Sequence, residues 1–125
     1  MTASSLEHLN DELVTIDVSV SGSSAVLVAS GEIDSTSAPV LRQHLDTLLE
    51  DDLQELVIDL GQVSFLDSAG LCVLANAHRR AARQDVRMRV LASSRAVVRP
   101  LQITGLWELL HAEQKTDDQV AQGVA

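Results

Sequence analysis

One short segment of this chain concentrates residues able to do chemistry: Val63-Ser64-Phe65-Leu66-Asp67-Ser68-Ala69-Gly70-Leu71. A serine placed between an apolar run and a helix-forming stretch can cap the free N–H groups of that helix. It can also be the nucleophile of a strand-to-helix elbow. The elbow pattern needs glycine two residues before the serine, where this chain has Leu66, and 125 residues is short for a hydrolase sheet of that type. Spacing therefore favours the cap over the nucleophile. Cys72, four residues after Ser68, shares a helix face with it, and Asn76, Arg79 and Arg83 continue that face. Cys72 reads either as a small inert residue or as an interface thiol whose oxidation tunes binding.

Other constellations are weak. His8, His44, His78 and His111 are scattered, with no i, i+4 pair and no paired cysteines, so no metal site is expected. No glycine-rich phosphate loop is present, and no cofactor is expected. The net charge of −9 argues against general binding to nucleic acid. The charge is uneven: residues 1–52 hold ten acids against Arg42 alone, while residues 79–99 hold seven arginines against Asp85 alone. These are either solvated faces or a polarised surface that orients a protein partner. A single cysteine, no signal-like start and no apolar stretch of membrane-spanning length read as a cytoplasmic chain without a membrane segment.

The elements that must position the segment follow from periodicity. Residues 1–12 read as a mobile lead-in. Val14, Ile16, Val18 and Val20 alternate with polar residues as in a half-buried strand, and Ala25 to Ala29 reads as its hairpin partner. That second strand ends in Ser30-Gly31-Glu32-Ile33-Asp34. Ser35, Thr36 and Ser37 offer caps for a helix with Pro39 in its first turn and a stripe of Leu41, Leu45, Leu48 and Leu49. Leu56 to Leu60 reads as a strand covered on both faces. A helix from Ser68 to about Gln84 carries Leu71, Leu74, Ala75, His78 and Ala82 on one side, and Val86 to Leu91 is a further strand. Ser93 or Ser94 opens a third helix, interrupted near Pro100 and closed by Gly105. Leu106 to Leu110 with Trp107 is a buried strand or turn, and Thr116-Asp117-Asp118 resembles a helix start.

The order β-β-α-β-α-β-α implies a single α/β domain with a mixed sheet of four to five strands and helices packed against it. Parallel pairing of the second and third strands brings Gly31 to Asp34 and Phe65 to Ser68 to one sheet edge, the edge where open α/β sheets bind.

Two elements of this edge, Asp67-Ser68-Ala69-Gly70-Leu71 and Gly31-Glu32-Ile33-Asp34, together closely resemble the STAS domain, and more narrowly the bacterial anti-sigma factor antagonists. The resemblance covers residues 13–123 and includes the Arg95 to Gly105 region. It implies a non-enzymatic regulator whose partner is an anti-sigma factor with a histidine-kinase-like ATP-binding fold. The unphosphorylated form would bind that partner and free the sigma factor, phosphorylation of Ser68 would end binding, and a phosphatase would reset the switch. The resemblance places Asp34 beside the acceptor at the partner surface, and with the rest of the two elements and the helix face of Ser68 the expected partner-binding residues are Gly31, Glu32, Asp34, Asp67, Ala69, Gly70 and Cys72. Ala69 stands where some members have a second serine. The alternative is a STAS module serving a transporter or another complex. A phosphate at a helix N-terminus suits the free N–H groups there, and it would add about −1.5 to −2 charges to an already acidic edge.

Overall fold

The computed structural model describes residues 13–115. Its elements are β1 (Val14–Ser21), β2 (Ser24–Ile33), α1 (Ala38–Glu50), β3 (Glu55–Leu66), α2 (Ser68–Arg83), β4 (Arg87–Ala92), α3 (Arg95–Ile103), α4 (Leu106–Leu109) and β5 (Ala112–Gln114). They form one α/β unit with a five-stranded sheet in the order β1-β2-β3-β4-β5. The first pair is antiparallel, joined through Gly22, and the others are parallel, as crossovers through helices require. The lead-in expected over residues 1–12 and the helix start at Thr116-Asp117-Asp118 lie outside the described residues.

Alternation along the strands sets the core. Ala25, Leu27 and Ala29 of β2, Leu56, Ile58 and Leu60 of β3, and Met88, Val90 and Ala92 of β4 are buried, whereas Val26, Arg87 and Arg89 are exposed. The expectation that Leu56 to Leu60 is covered on both faces is met except at one position. Val57 is only half-buried, and Asp59 is shielded on the outer face by Lys115, whose Nζ lies 2.5 Å from its Oδ2. In β1 the apolar alternation is present but cover is not: Val14 is buried, while Val18 and Val20 are exposed.

The leucine stripe of α1 is buried as its spacing predicts: Leu41, Leu45, Leu48 and Leu49. The stripe of α2 is rotated from the expected one. Gly70, Val73, Leu74, Ala77 and Ala81 face inward, and Leu71, Ala75 and His78 sit at the margins. Small residues let this helix lie close to its neighbours, so its buried face is marked by missing bulk. α3 runs through Pro100 without interruption, giving up only the bond that residue's N–H would make. Leu106–Leu109 is a short helix rather than a strand, and Trp107 is partly buried against the core.

Both strands that lead to the site are longer than their apolar stretches. β2 continues through Ser30-Gly31-Glu32 to Ile33, and β3 through Gly61 to Leu66. Their pairing is irregular, with register shifts between Val28 and Ser30 and between Gly31 and Glu32, so that β3 carries extra residues. Bulges of this kind bend a strand and re-aim its side chains. The two strand ends still finish together, Glu32 opposite Phe65 and Ile33 opposite Leu66.

Candidate functional site

Past that pairing, the Asp67 amide donates to the Ile33 carbonyl at 3.2 Å, which ties the start of α2 to the end of β2. Asp67 is the N-cap of α2: its backbone is extended, and its carboxylate accepts from the Ala69 amide at 2.9 Å and from the Gly70 amide at 3.4 Å. The capping role that spacing gives to Ser68 belongs to Asp67. Ser68 is the first helical residue, and it is exposed. This also revises the expected welcome for an anion. Two of the first-turn N–H groups, those of Ala69 and Gly70, are already engaged by the Asp67 carboxylate.

The second half of the site is the turn between β2 and α1. Asp34 Oδ1 accepts from the Thr36 amide at 2.8 Å, the Thr36 hydroxyl at 2.7 Å and the Ser37 amide at 3.1 Å. The Ser37 hydroxyl turns back, donating to the Glu32 carbonyl at 2.7 Å and accepting from the Asp34 amide at 2.9 Å. Ser37 occupies the N-cap position of α1 without a side-chain cap bond, because its hydroxyl is spent inside the turn. The bonds from Thr36, foremost that of its hydroxyl, hold the Asp34 carboxyl below the ordinary carboxylate range. Asp34 is therefore half-buried and structural through one oxygen, whereas a freely exposed aspartate was expected.

Two of the expected surface residues act from beneath. Gly70 is buried; a Cβ there would lie 2.3 Å from Leu66 Cδ1 and 2.9 Å from Ile33 Cγ2. Its missing side chain lets α2 sit against both strand ends. Gly31 has φ +106°, and a Cβ there would lie 2.2 Å from the Leu13 carbonyl oxygen, which accepts from the Glu32 amide. Its absent side chain keeps β1 close to the turn. At this edge Glu32, Ser68 and Cys72 are exposed and Asp34, Asp67 and Ala69 half-buried, with Phe65 exposed on the strand below. Ser68, Cys72, Asn76, Arg79 and Arg83 are all exposed, as one helix face should be. Sequence reasoning missed Thr36 and Ser37 as the residues that fix Asp34, although an aspartate followed two and three residues on by hydroxyls is itself a turn signal. Among the described residues no cluster of three metal-ligating side chains occurs, and no helix is long and apolar enough to cross a membrane.

Comparison with known proteins agrees with this geometry. The STAS domain model matches residues 15–122. The chain is 36% identical over 93 residues to the anti-sigma-F factor antagonist RsfB of Mycobacterium tuberculosis, covering 74% of this chain and 75% of that one. An anti-sigma-B factor antagonist of Staphylococcus aureus is 29% identical over 87 residues, 70% of this chain and 81% of that one. The crystal structure of an anti-sigma factor antagonist from Mycobacterium paratuberculosis superposes with a TM-score of 0.76 at 33% identity, covering 87% and 92% of the two chains. A paired-strand edge carrying Asp34 and Ser68, together with these likenesses, identifies the chain as a member of the STAS domain family, among its anti-sigma factor antagonists.

Proposed function

We propose that this chain binds an anti-sigma factor of histidine-kinase-like ATP-binding fold in the cytoplasm, frees the sigma factor, and is switched off by phosphorylation of Ser68. The observation that carries the reading is the exposed Ser68 hydroxyl at the first position of α2, held beside Glu32 and Asp34 by the pairing of β2 with β3. A partner surface fitted to a neutral hydroxyl would meet a bulky group of about −1.5 to −2 charges after modification. The hydrogen bonds of the Asp34 turn oppose movement of the edge away from that charge. The chain acts as a regulatory module: the ATP and the transfer chemistry belong to the partner, and a phosphatase restores the binding form.

Incubating the protein with its cognate anti-sigma factor and ATP tests this. Mass spectrometry should find one phosphate on Ser68 and none in Ser68→Ala, and the phosphorylated protein should no longer hold the anti-sigma factor in gel filtration. Phosphorylation at another residue, or a phosphorylated form that still binds at full affinity, would overturn the switch.

A further inference from the structure

The Ser68 surface is one end of a longer feature. α1 and α2 leave a groove between them that runs from Ala69 and Cys72 at the helix starts, past Arg42 and Asn76, to Arg79 and Arg83 near the end of α2. Arg42, Val73 and Asn76 line both halves, so the two adjoin. Its far half, about 370 Å³, is large enough to take side chains from a docked segment. At a rise of 1.5 Å per residue, Arg79 stands about 16 Å along the helix from Ser68.

The two ends differ in charge. Glu32, Asp34 and Asp67 mark the Ser68 end. The far half is lined by Arg42, Arg79, Arg80 and Arg83 against a single carboxylate, Asp46, which Arg80 contacts at 3.4 Å. Arg79 reaches only the amide oxygen of Asn76, and Arg42 and Arg83 form no ion pair among the described residues. Helix stability accounts for part of this, since Arg80 and Arg83 lie in the last turn of α2, where cations suit the dipole. It does not account for Arg42, which lies in the second turn of α1, toward the end where the dipole opposes a cation. Three arginines converging on a groove whose single carboxylate contacts Arg80 await an anionic occupant.

We infer that the basic half of the groove receives an acidic segment of the anti-sigma factor, its carboxylates set against Arg42, Arg79 and Arg83. The inference rests on the reading proposed above, and it extends that contact from the switch along the whole α1–α2 face. Opposite charge at the two ends fixes the direction in which the partner lies.

Calorimetric titration of the cognate anti-sigma factor into wild type, Arg42→Glu and the double variant Arg79→Glu/Arg83→Glu tests it, with circular dichroism confirming the fold. All three arginines are exposed, so the variants should fold. The double variant should bind about tenfold or more weakly at low salt, and the difference should shrink as salt rises. A carboxylate-to-lysine change in the partner should restore binding to the reversed groove. Wild-type affinity and salt dependence in both variants would overturn the inference while leaving the Ser68 switch standing. Sodium tripolyphosphate that binds wild type through these arginines without weakening anti-sigma binding would also overturn it, making the groove a small-anion site. No binding by unphosphorylated wild type would remove the proposed function and this inference together.

Discussion

The Ala69 amide donates to the Asp67 carboxylate at 2.9 Å, and this bond makes Asp67 the cap of α2 and leaves its neighbour Ser68 exposed. Asp67→Ala removes the cap of α2 and should cost about 0.5–2 kcal/mol. Ser68→Ala removes an exposed hydroxyl and should change stability by less than about 0.5 kcal/mol. Urea unfolding of both variants measures the difference. If Ser68→Ala were the more damaging of the two, the cap would lie on the serine after all.

Asp34 yields a prediction with a definite pH sign. Its carboxyl is held below the ordinary range by its bonds from Thr36 and Ser37. A depressed carboxyl contributes stability above its unfolded pKa and loses it as pH falls through the folded one. The β2–α1 turn should accordingly be intact at neutral pH and loosen only in acid, below about pH 4. An NMR titration should show the Thr36 and Ser37 amides moving together with an Asp34 midpoint below that of a free aspartate. Thr36→Val, which removes the largest of these bonds, should raise that midpoint. A midpoint unmoved by Thr36→Val would mean that the hydroxyl does not stabilise the charged form.

Gly70 tests how closely α2 must sit against the strand ends. A methyl there collides with Leu66 and Ile33, so Gly70→Ala should destabilise by about 1–3 kcal/mol even though alanine is the better helix former. Pairing it with Leu66→Ala makes room, and the double variant should lose less than the sum of the two single losses. Strict additivity in thermal unfolding would show that the two side chains do not share the space.

The outer face of the sheet carries one buried charge, Asp59, 6% exposed, bonded by Lys115 at 2.5 Å and by the Gly61 amide at 2.8 Å. Lys115 also continues the sheet, its amide bonding the Ala92 carbonyl at 2.7 Å, so this pair fastens the end of β5 to the centre. Lys115→Met should destabilise by about 1–3 kcal/mol, less than for a fully buried pair, because 27% of the lysine side chain remains exposed. Adding Asp59→Asn should recover part of the loss. Hydrogen exchange at the amides of β5 reads the same event locally, and unchanged protection there would rule out the fastening role.

How far the sequence discloses this molecule depends on what kind of signal each part leaves. The leucines of α1, the alternation in β1 and the convergence of Asp34 with Ser68 are periodic or topological facts, and they are legible. The polar ends of β2 and β3 are not, because Ser30-Gly31-Glu32 and Gly61-Gln62 carry loop-like residues while pairing through register shifts. The inner face of α2 is hidden for a related reason: glycine and alanines mark close approach, and a search for bulk passes over them. Asp59 reads as a polar break in an apolar strand until Lys115, distant in sequence, is seen covering it. Within the site the serine is conspicuous, and the division of labour around it is not. Which of Asp67 and Ser68 caps the helix is decided by one backbone conformation.

The final prediction concerns affinity at Ser68 against stability at Ser68. The Ala69 and Gly70 amides are engaged by Asp67, so an anion at position 68 finds few free N–H groups and presents its charge to whatever faces the helix start. Ser68→Ala should hold the anti-sigma factor as tightly as unphosphorylated wild type and should resist release by ATP. Ser68→Asp adds one charge where phosphate adds about −1.5 to −2, so its affinity should fall between those of wild type and the phosphorylated protein. Stability should stay nearly level across the series. An acid in the first turn gains from the dipole, by about 0.3–1 kcal/mol at an exposed site, and loses some of that to its neighbour Asp67. Affinity should therefore change while the unfolding midpoint does not, the separation expected of a surface switch on a fixed scaffold. Equal affinities for all four forms would leave Ser68 without a switching role, and a fall in stability parallel to the fall in affinity would mean that phosphate acts by loosening α2 instead of by repelling the partner.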